Sequence, residues 1–410
     1  MPDAPTESLQ TRCCIAGGGP AGMMLGFLLA RAGVDVVVME KHADFLRDFR
    51  GDTIHPSTLE LMHELGFLKD FLERPHNEVS ELSAQIGDVE VTIADFTHLP
   101  TRCNFLVFMP QWDFLDFIVE RARALPRFHL RMETEVTGLI EEGGRVTGLR
   151  ARGPGGRVEA RADLVVGADG RGSIVRRKAG LSVENLGAPM DVLWMRLSKR
   201  ADDPPQTLGR VERGGILIRL DRGDYWQCGY VIPKGGMDEI HRHGIEAFRQ
   251  RLAGMVPLFS ARVKELVAWD QIRLLTVTVD RLRRWHRPGL LCIGDAAHAM
   301  SPIGGVGINL AIQDAVAAAN ILGPPLLAGT ADEDDLALVQ RRRLGPARMT
   351  QRLQVFLQNK VVTRVLGPGG TIRVPLAFRL LRRCSLLRRL PARIVGMGFR
   401  PEHIEAPAAP

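Results

Sequence analysis

The chain has 410 residues, 45% of them apolar, with 25% charged residues and a formal net charge of +7. That length and apolar content support two or three packed domains, and the absence of a run of about eighteen apolar residues argues against a membrane span. The opening MPDAPTESLQTR lacks a secretory pattern, and six scattered cysteines form no C-x-x-C or metal-ligand spacing, so a reduced, cytoplasmic protein without a structural metal is expected.

Residues 11–16 (TRCCIA) read as a short buried strand. GGGPAG at 17–22 follows with the spacing G-x-G-x-x-G, and residues 23–32 (MMLGFLLARA) form a helical run stopped by Gly33. Residues 35–39 (DVVVM) are β-branched and apolar, as in a strand buried on both faces. Strand, glycine turn, helix, strand is the context in which this spacing holds a pyrophosphate. Gly17 permits the tight turn, Gly19 lets the backbone approach the phosphates, and Gly22 lets helix and strand lie close. Pro20 and Ala21 belong to the same turn. Glu40 closes the second strand with Lys41 beside it. A carboxylate there accepts from ribose hydroxyls and repels a 2′-phosphate, so the adenosine belongs to FAD or NAD rather than NADP. This motif alone does not separate the two.

Two later stretches place polar groups at strand ends, where ligands of open α/β sheets lie. In residues 163–176 (DLVVGADGRGSIVR), a strand over 164–167 turns at Asp169-Gly170, and Ser173 is placed to cap the next helix. In residues 288–313 (PGLLCIGDAAHAMSPIGGVGINLAIQ), a strand over 290–293 ends at Asp295, and glycines 304, 305 and 307 precede a helix starting near Ile308. NAD needs one such contact set; a ligand stretching from adenine to a flavin ring needs several.

Together these segments resemble the class A flavoprotein aromatic hydroxylases, the family of para-hydroxybenzoate hydroxylase, over about residues 11–325. The most specific stretch is GDAAHAMSPIGGVGIN, with Asp295, His298, Pro302, Gly304, Gly307 and Asn309 at family spacing. The resemblance implies a Rossmann-like α/β FAD-binding domain (11–79, 101–185 and 281–325). Inserted into it would be an antiparallel β-sheet substrate domain (80–100 and 186–280), followed by a basic, mainly helical region (326–410). It implies that Asp295 bonds the flavin ribityl chain and that the amides near Ile308 and Asn309 face the flavin O2. Pro302 would lie by the flavin's reactive edge with its carbonyl toward the substrate. Asp169 would serve FAD and the passing nicotinamide cofactor, Arg50 the pyrophosphate, and Gln111 the cofactor at a helix start. His298 is expected to hold the loop rather than act as a base. FAD is then the bound cofactor, NADH or NADPH a transient one, and a C4a-hydroperoxyflavin the species that hydroxylates an electron-rich aromatic with O2.

The substrate wall is expected from antiparallel strands over 193–197, 216–220 and 225–232, with Trp194, Arg196, Arg219, Trp226 and Tyr230 as candidates. Only two tyrosines occur, so the tyrosine network of the type member is not reproduced. Helices are expected over 341–366 and 375–390, separated by Gly367-Pro368-Gly369-Gly370. Residues 341–400 hold fifteen Lys or Arg and no acid. That end is read as a cover for the substrate sheet and a weak membrane-surface contact, with no nucleic acid bound. The sequence leaves open a flavin oxidoreductase that inserts no oxygen, such as a double-bond reductase or a dehydrogenase. It also leaves open a binding protein with a relic flavin fold, the substrate, the preferred nicotinamide and a homodimer.

Overall fold

The computed structural model describes residues 6–46, 53–204, 208–212, 214–367 and 376–405. An eight-stranded sheet carries the glycine motifs. Its spine runs His286–Arg287, Leu290–Cys292, Gly156–Gly167, Thr6–Ala16, Val36–Met39, Phe128–Arg131. From Leu290–Cys292 onward the neighbours are parallel, and His286–Arg287 is an antiparallel edge. Strands Arg145–Gly153 and Glu135–Glu142 pair antiparallel alongside.

All four residues of Val36–Met39 are buried, as a strand in the interior of a parallel sheet requires. Helix Pro20–Arg31 covers this sheet with ten buried residues. It starts three residues before the expected 23 because Pro20 suits the first helical position: its φ is preset and its missing N–H would find no partner there. Beside it lies Val306–Ala328, long and apolar enough to cross a membrane, but mostly buried in this core, which marks it as a core helix. Cys13, Cys14, Cys103, Cys228 and Cys292 are free thiols inside the protein, and burial pushes the Cys14 thiol up to about 12, so they behave as small apolar residues.

A seven-stranded sheet runs Arg273–Leu275, Met190–Ser198, Tyr225–Pro233, Gly215–Asp221, Leu208–Glu212, Glu81–Ile86, Val89–Asp95. Its neighbours are antiparallel except Leu208–Glu212 beside Glu81–Ile86. Because side chains alternate along a strand, its two faces have different company. Leu193, Met195, Trp226 and Tyr230 pack against Phe248 and Leu252 of helix Met237–Met255. Trp194 and Ile218 point the other way, toward Val395 and Met397 of the C-terminal segment, and Ile216 faces Ile303 and Leu366.

This alternation corrects the expected substrate wall. Trp226 and Tyr230 belong to the helix-covered face, and Arg219 stacks over the Trp226 ring at 5.4 Å on that same side. Trp194 is on the opposite face, its ring lying over Gly229, where a Cβ would come within 3.0 Å. Arg196, two residues on, shares that face and stacks over Tyr225 at 4.8 Å.

The helix expected over 341–366 is present and longer. Glu333–Leu357, capped by the Asp332 carboxylate, runs through a π-helical turn at Gln358–Val362 into Thr363–Leu366. The single helix expected over 375–390 is instead broken. Leu376–Arg383 ends at Cys384, whose backbone is extended, and Ser385–Arg388 leads into Arg389–Met397. Cys384 and Ser385 are weak helix formers, and the second piece turns so that Ala392 packs beside Phe96 and Leu99.

Candidate active site

Three strand ends meet at one edge of the main sheet. The Ala168 amide donates to Ala16 O at 2.8 Å, and the Ile293 amide donates to Gly167 O at 3.0 Å. The loops that follow are therefore side by side. A Cβ on Gly17 would meet Ala168 O at 2.5 Å, and one on Gly294 would meet Ala21 Cβ at 3.1 Å and Ala311 Cβ at 3.2 Å. Segments nearly three hundred residues apart in sequence thus form one continuous floor.

The opening turn is built as its glycines require. Gly17 has φ +103, a conformation L side chains rarely adopt, and its amide donates to Met39 O at 2.8 Å. A Cβ on Gly22 would stand 2.0 Å from Gly17 O, so only glycine lets the helix begin this close to the loop. At Gly19 nothing lies within 4 Å of a would-be Cβ, which leaves the backbone open to a ligand. No side chain caps the helix after it, so the first-turn amides of Ala21 and Gly22 offer free N–H groups at the positive helix end.

Glu40 is buried, and its carboxylate accepts from the Gly18 amide at 2.9 Å and the His42 amide at 3.1 Å. It fixes the turn while keeping lone pairs for ribose hydroxyls. Lys41 beside it is exposed. Asp169 faces its own helix: it accepts from Ser173 Oγ at 2.5 Å and from the Ile174 amide at 2.7 Å, while Ser173 caps the helix through the Arg176 amide at 2.9 Å. Its contribution is a fixed loop more than a free carboxylate. Gln111 opens helix Gln111–Arg123 as expected, and Arg50 lies outside the described residues.

Asp295, one-third exposed, meets Arg171 at 3.1 Å, and Arg171 also donates to Met300 O at 3.2 Å. Arg171 Nη1 is buried with no protein partner. An orphaned guanidinium nitrogen beside an available carboxylate suits a ligand bearing both acceptors and hydroxyls, as a ribityl diphosphate does. Sequence reasoning missed Arg171, although it directly follows the Asp169-Gly170 turn. It also missed Arg176, which ties that helix to Asp280 at 3.3 Å and to Ala296 O at 3.4 Å.

The late helix begins at Val306, two residues before the expected start, after Gly305 at φ +63. Its free amides are those of Val306, Gly307 and Ile308. Asn309 is structural: Oδ1 accepts from the His55 amide at 2.9 Å and Thr58 Oγ1 at 2.8 Å, and Nδ2 donates to Thr53 O at 2.8 Å. Gly304 has φ +80 in the loop before it. The Pro302 carbonyl accepts from the Gly305 amide at 3.1 Å. That bond closes the turn and leaves the carbonyl's second lone pair for another donor.

His298 meets Asp314 at 2.5 Å, Asp314 accepts from Arg343 at 2.9 Å, and Arg343 meets Glu402 at 3.1 Å. All four side chains are buried. Burial pushes the Asp314 carboxyl up, but His298 and Arg343 together hold it below the usual carboxylate range. The Gly294 amide donates to Asp314 at 3.1 Å, so this network anchors the Asp295 loop, which fits a structural His298.

Next to the Gly304–Val306 loop lies a cavity lined by Leu310, Leu353, Val395 and Met397, with His55 and Gln313 among its lining residues. His55 is 1% exposed, and burial drives its imidazole down to about 4 against the pull of the Val395 and Gly304 carbonyls.

Residues 10–352 match the FAD binding domain family. The chain is 35% identical over 398 residues to 6-methylpretetramide 4-monooxygenase of Streptomyces rimosus, covering 96% of this chain and 94% of that one. It is 26% identical over 358 residues to 6-hydroxy-3-succinoylpyridine 3-monooxygenase of Pseudomonas putida, covering 82% and 85%. The fold matches PqsL of Pseudomonas aeruginosa, a probable FAD-dependent monooxygenase, with TM-score 0.72 at 23% identity over 87% and 97% of the two chains. It also matches the anhydrotetracycline hydroxylase OxyS of Streptomyces rimosus, with TM-score 0.74 at 24% identity over 96% and 77%. With its glycine turn, its Asp295 loop and this family match over most of its length, the chain belongs to the FAD binding domain family of class A flavoprotein hydroxylases and is an FAD-dependent monooxygenase.

Proposed function

We propose that the protein hydroxylates a polycyclic, phenol-bearing aromatic molecule, consuming NADH or NADPH and O2. The observation that carries this reading is the joining of the three strand ends into one floor that leads to the late helix start and its cavity. FAD, when bound, would accept a hydride from NADH or NADPH and supply oxygen activation, chemistry that no side chain offers.

The residues would divide the work as follows. Gly19, Ala21 and Gly22 seat the diphosphate on bare amides, Pro20 sets the helix start between them, and Glu40 lies toward the ribose. The Asp295–Arg171 pair, joined at 3.1 Å, lies beside the ribityl chain and offers it a carboxylate and a guanidinium nitrogen. The Val306, Gly307 and Ile308 amides lie where negative charge on the flavin's pyrimidine edge would be stabilised, since they sit at a positive helix end without a capping side chain. The cavity behind the Pro302–Val306 turn receives the substrate and excludes water. Its wall is mainly apolar, which suits an aromatic ring system. The name of the Streptomyces rimosus relative, which refers to a pretetramide, supports the same class.

The seven-stranded sheet with its C-terminal cover is read as the substrate half of the molecule. Leu380, Leu386, Leu387 and Leu390 are exposed among arginines on that cover, the basis for a weak contact with anionic membrane.

A coupling assay tests the reaction. NADH and NADPH consumption, oxygen uptake and peroxide release are followed across single-ring phenols and fused-ring phenols. Fast nicotinamide oxidation with little peroxide in the presence of fused-ring phenols is expected. Equal uncoupled oxidation with every aromatic, or clean reduction of an alkene, would contradict it.

A further inference from the structure

A second cavity, of about 190 Å³, lies on the helix-covered face of the seven-stranded sheet, beside Val256 and Leu258 just after helix Met237–Met255. Strand pairing sets its lining. Gln85, Arg210 and Leu217 are direct partners across three strands, so their side chains stand in one row on one face. Arg219, two residues past Leu217, shares that face and is the diagonal neighbour of Arg210, about 7–8 Å away across the ladder. Ile216 and Ile218 of the same strand point the other way, toward Ile303 and toward Val395 and Met397. The cavity is thus behind the sheet, on the far side from the Gly304 loop.

Two guanidinium groups line this small space, and they are partnered differently. Arg210 Nε donates to Glu212 at 2.7 Å. Among the described residues neither a hydrogen bond nor a carboxylate contact reaches Arg219, which stacks over the Trp226 ring. Its Nε is enclosed without a partner, so the outer Nη atoms are the edge it presents to the cavity. Asp203 acts on Arg219 only through space, because Arg262 holds it at 2.6 Å and Trp226 Nε1 donates to it at 2.8 Å. Arg210, Arg219 and Arg262 therefore stand against Glu212 and Asp203, which leaves one positive charge over. Burial pushes the Arg219 guanidinium below its ordinary value, and Arg210 pushes the same way. A half-buried cation beside a second cation is costly unless an anion joins them.

We propose that this cavity is a second ligand site, separate from the flavin floor, that takes a small organic carboxylate. The Nη edge of Arg219 matches the two carboxylate oxygens, Arg210 and Gln85 supply further donors, and Leu217, Val256 and Leu258 cover an apolar body. A carboxylate brings the single negative charge that the cluster lacks, whereas a phosphate exceeds it and leaves the apolar lining unused. Because strands form one wall and the segment after helix Met237–Met255 the other, an occupant clamps the helical cover to the sheet and stabilises the fold by mass action.

The test is titration calorimetry on the FAD-loaded protein with three probes: cyclohexanecarboxylate, its neutral isostere cyclohexanecarboxamide, and inorganic phosphate. A saturated ring offers nothing for aromatic hydroxylation. The carboxylate is expected to bind at least about tenfold more tightly than the amide or phosphate, since a hydrogen-bonded charge pair is at stake. It should leave the flavin absorbance unchanged, because the site is behind the sheet. Arg219→Met, which keeps an unbranched chain over Trp226, should weaken the carboxylate at least about tenfold. Arg219→Lys, which keeps the charge without the fork, should recover part of that loss.

Carboxylate binding that survives Arg219→Met, or that shifts the flavin spectrum, overturns the site. Equal binding of the amide overturns the role of charge, tighter binding of phosphate overturns the carboxylate, and no binding of any probe overturns the proposal outright. Retained FAD and a cooperative melt show that Arg219→Met is folded. If it is not, Leu258→Trp carries the test, because it fills the cavity and leaves Arg219 in place. That variant should abolish carboxylate binding, and binding that persists in it overturns the site.

Discussion

Two buried histidines at the same 1% exposure sit on either side of the late helix start and have opposite surroundings. His298 is locked to Asp314, which is locked to Arg343 and through it to Glu402. His55 has backbone carbonyls beside it, Val395 O at 2.6 Å from Nδ1 and that of Gly304, and no countercharge. Charge surrounded by countercharge holds a loop in place, whereas a neutral imidazole is tied to the chain by backbone carbonyls alone. The same contrast divides the molecule. The dinucleotide side is made of rigid glycine turns with no spare room, and the chamber side is made of apolar walls with a few spare polar atoms.

The comparison can be broken first at the rigid side. Gly22→Val should abolish FAD retention, because its side chain would drive into Gly17 O, 2.0 Å from the Cβ position. A loss of at least about 3 kcal/mol, roughly a hundredfold in FAD affinity, is expected from such overpacking, read as a colourless purified protein. Arg343→Met should cost about 3 kcal/mol in thermal or urea unfolding, since it removes the buried cation that Asp314 and Glu402 share and leaves them only His298 and Arg342.

The histidine network also has a pH signature. Asp314 is held below its usual range in the folded protein, so its contribution is fully present above the unfolded carboxylate value near 4. It is lost as pH falls through the depressed folded value. Unfolding free energy should therefore drop more steeply below about pH 4 in the native protein than in Asp314→Asn, measured at matched ionic strength. Equal slopes would remove Asp314 from the account.

Asp295→Asn is milder. It keeps the size and weakens only the charged partner of Arg171, so FAD should bind about tenfold more weakly with the fold unchanged, by flavin fluorescence titration. At the far end, Leu386→Ser on the exposed cover should change stability by less than about 0.5 kcal/mol.

The dinucleotide side was legible in the sequence because its chemistry is local. Gly17, Gly19 and Gly22 are needed within six residues, and the strands around them are uniformly apolar. The chamber was not legible for the converse reason. His55 meets Val395 across 340 residues and Gln313 meets Glu402 across 89, and neither has a neighbour in sequence that marks it. The middle strands were found, but their faces were not. Alternation gives two apolar faces there, and only the packed structure shows that helix Met237–Met255 takes the one with Trp226 and Tyr230. The local bonds of the Pro302 carbonyl and the Asp169 carboxylate, each made within its own turn, were likewise not legible in the sequence.

A crystal structure of the FAD-loaded protein tests the central claim most directly. Diphosphate density is expected against the amides of Gly19, Ala21 and Gly22, ribityl density beside the Asp295–Arg171 pair, and the flavin's pyrimidine edge facing the amides of Val306, Gly307 and Ile308. Flavin density outside the floor that joins Gly17, Ala168 and Gly294 would contradict it.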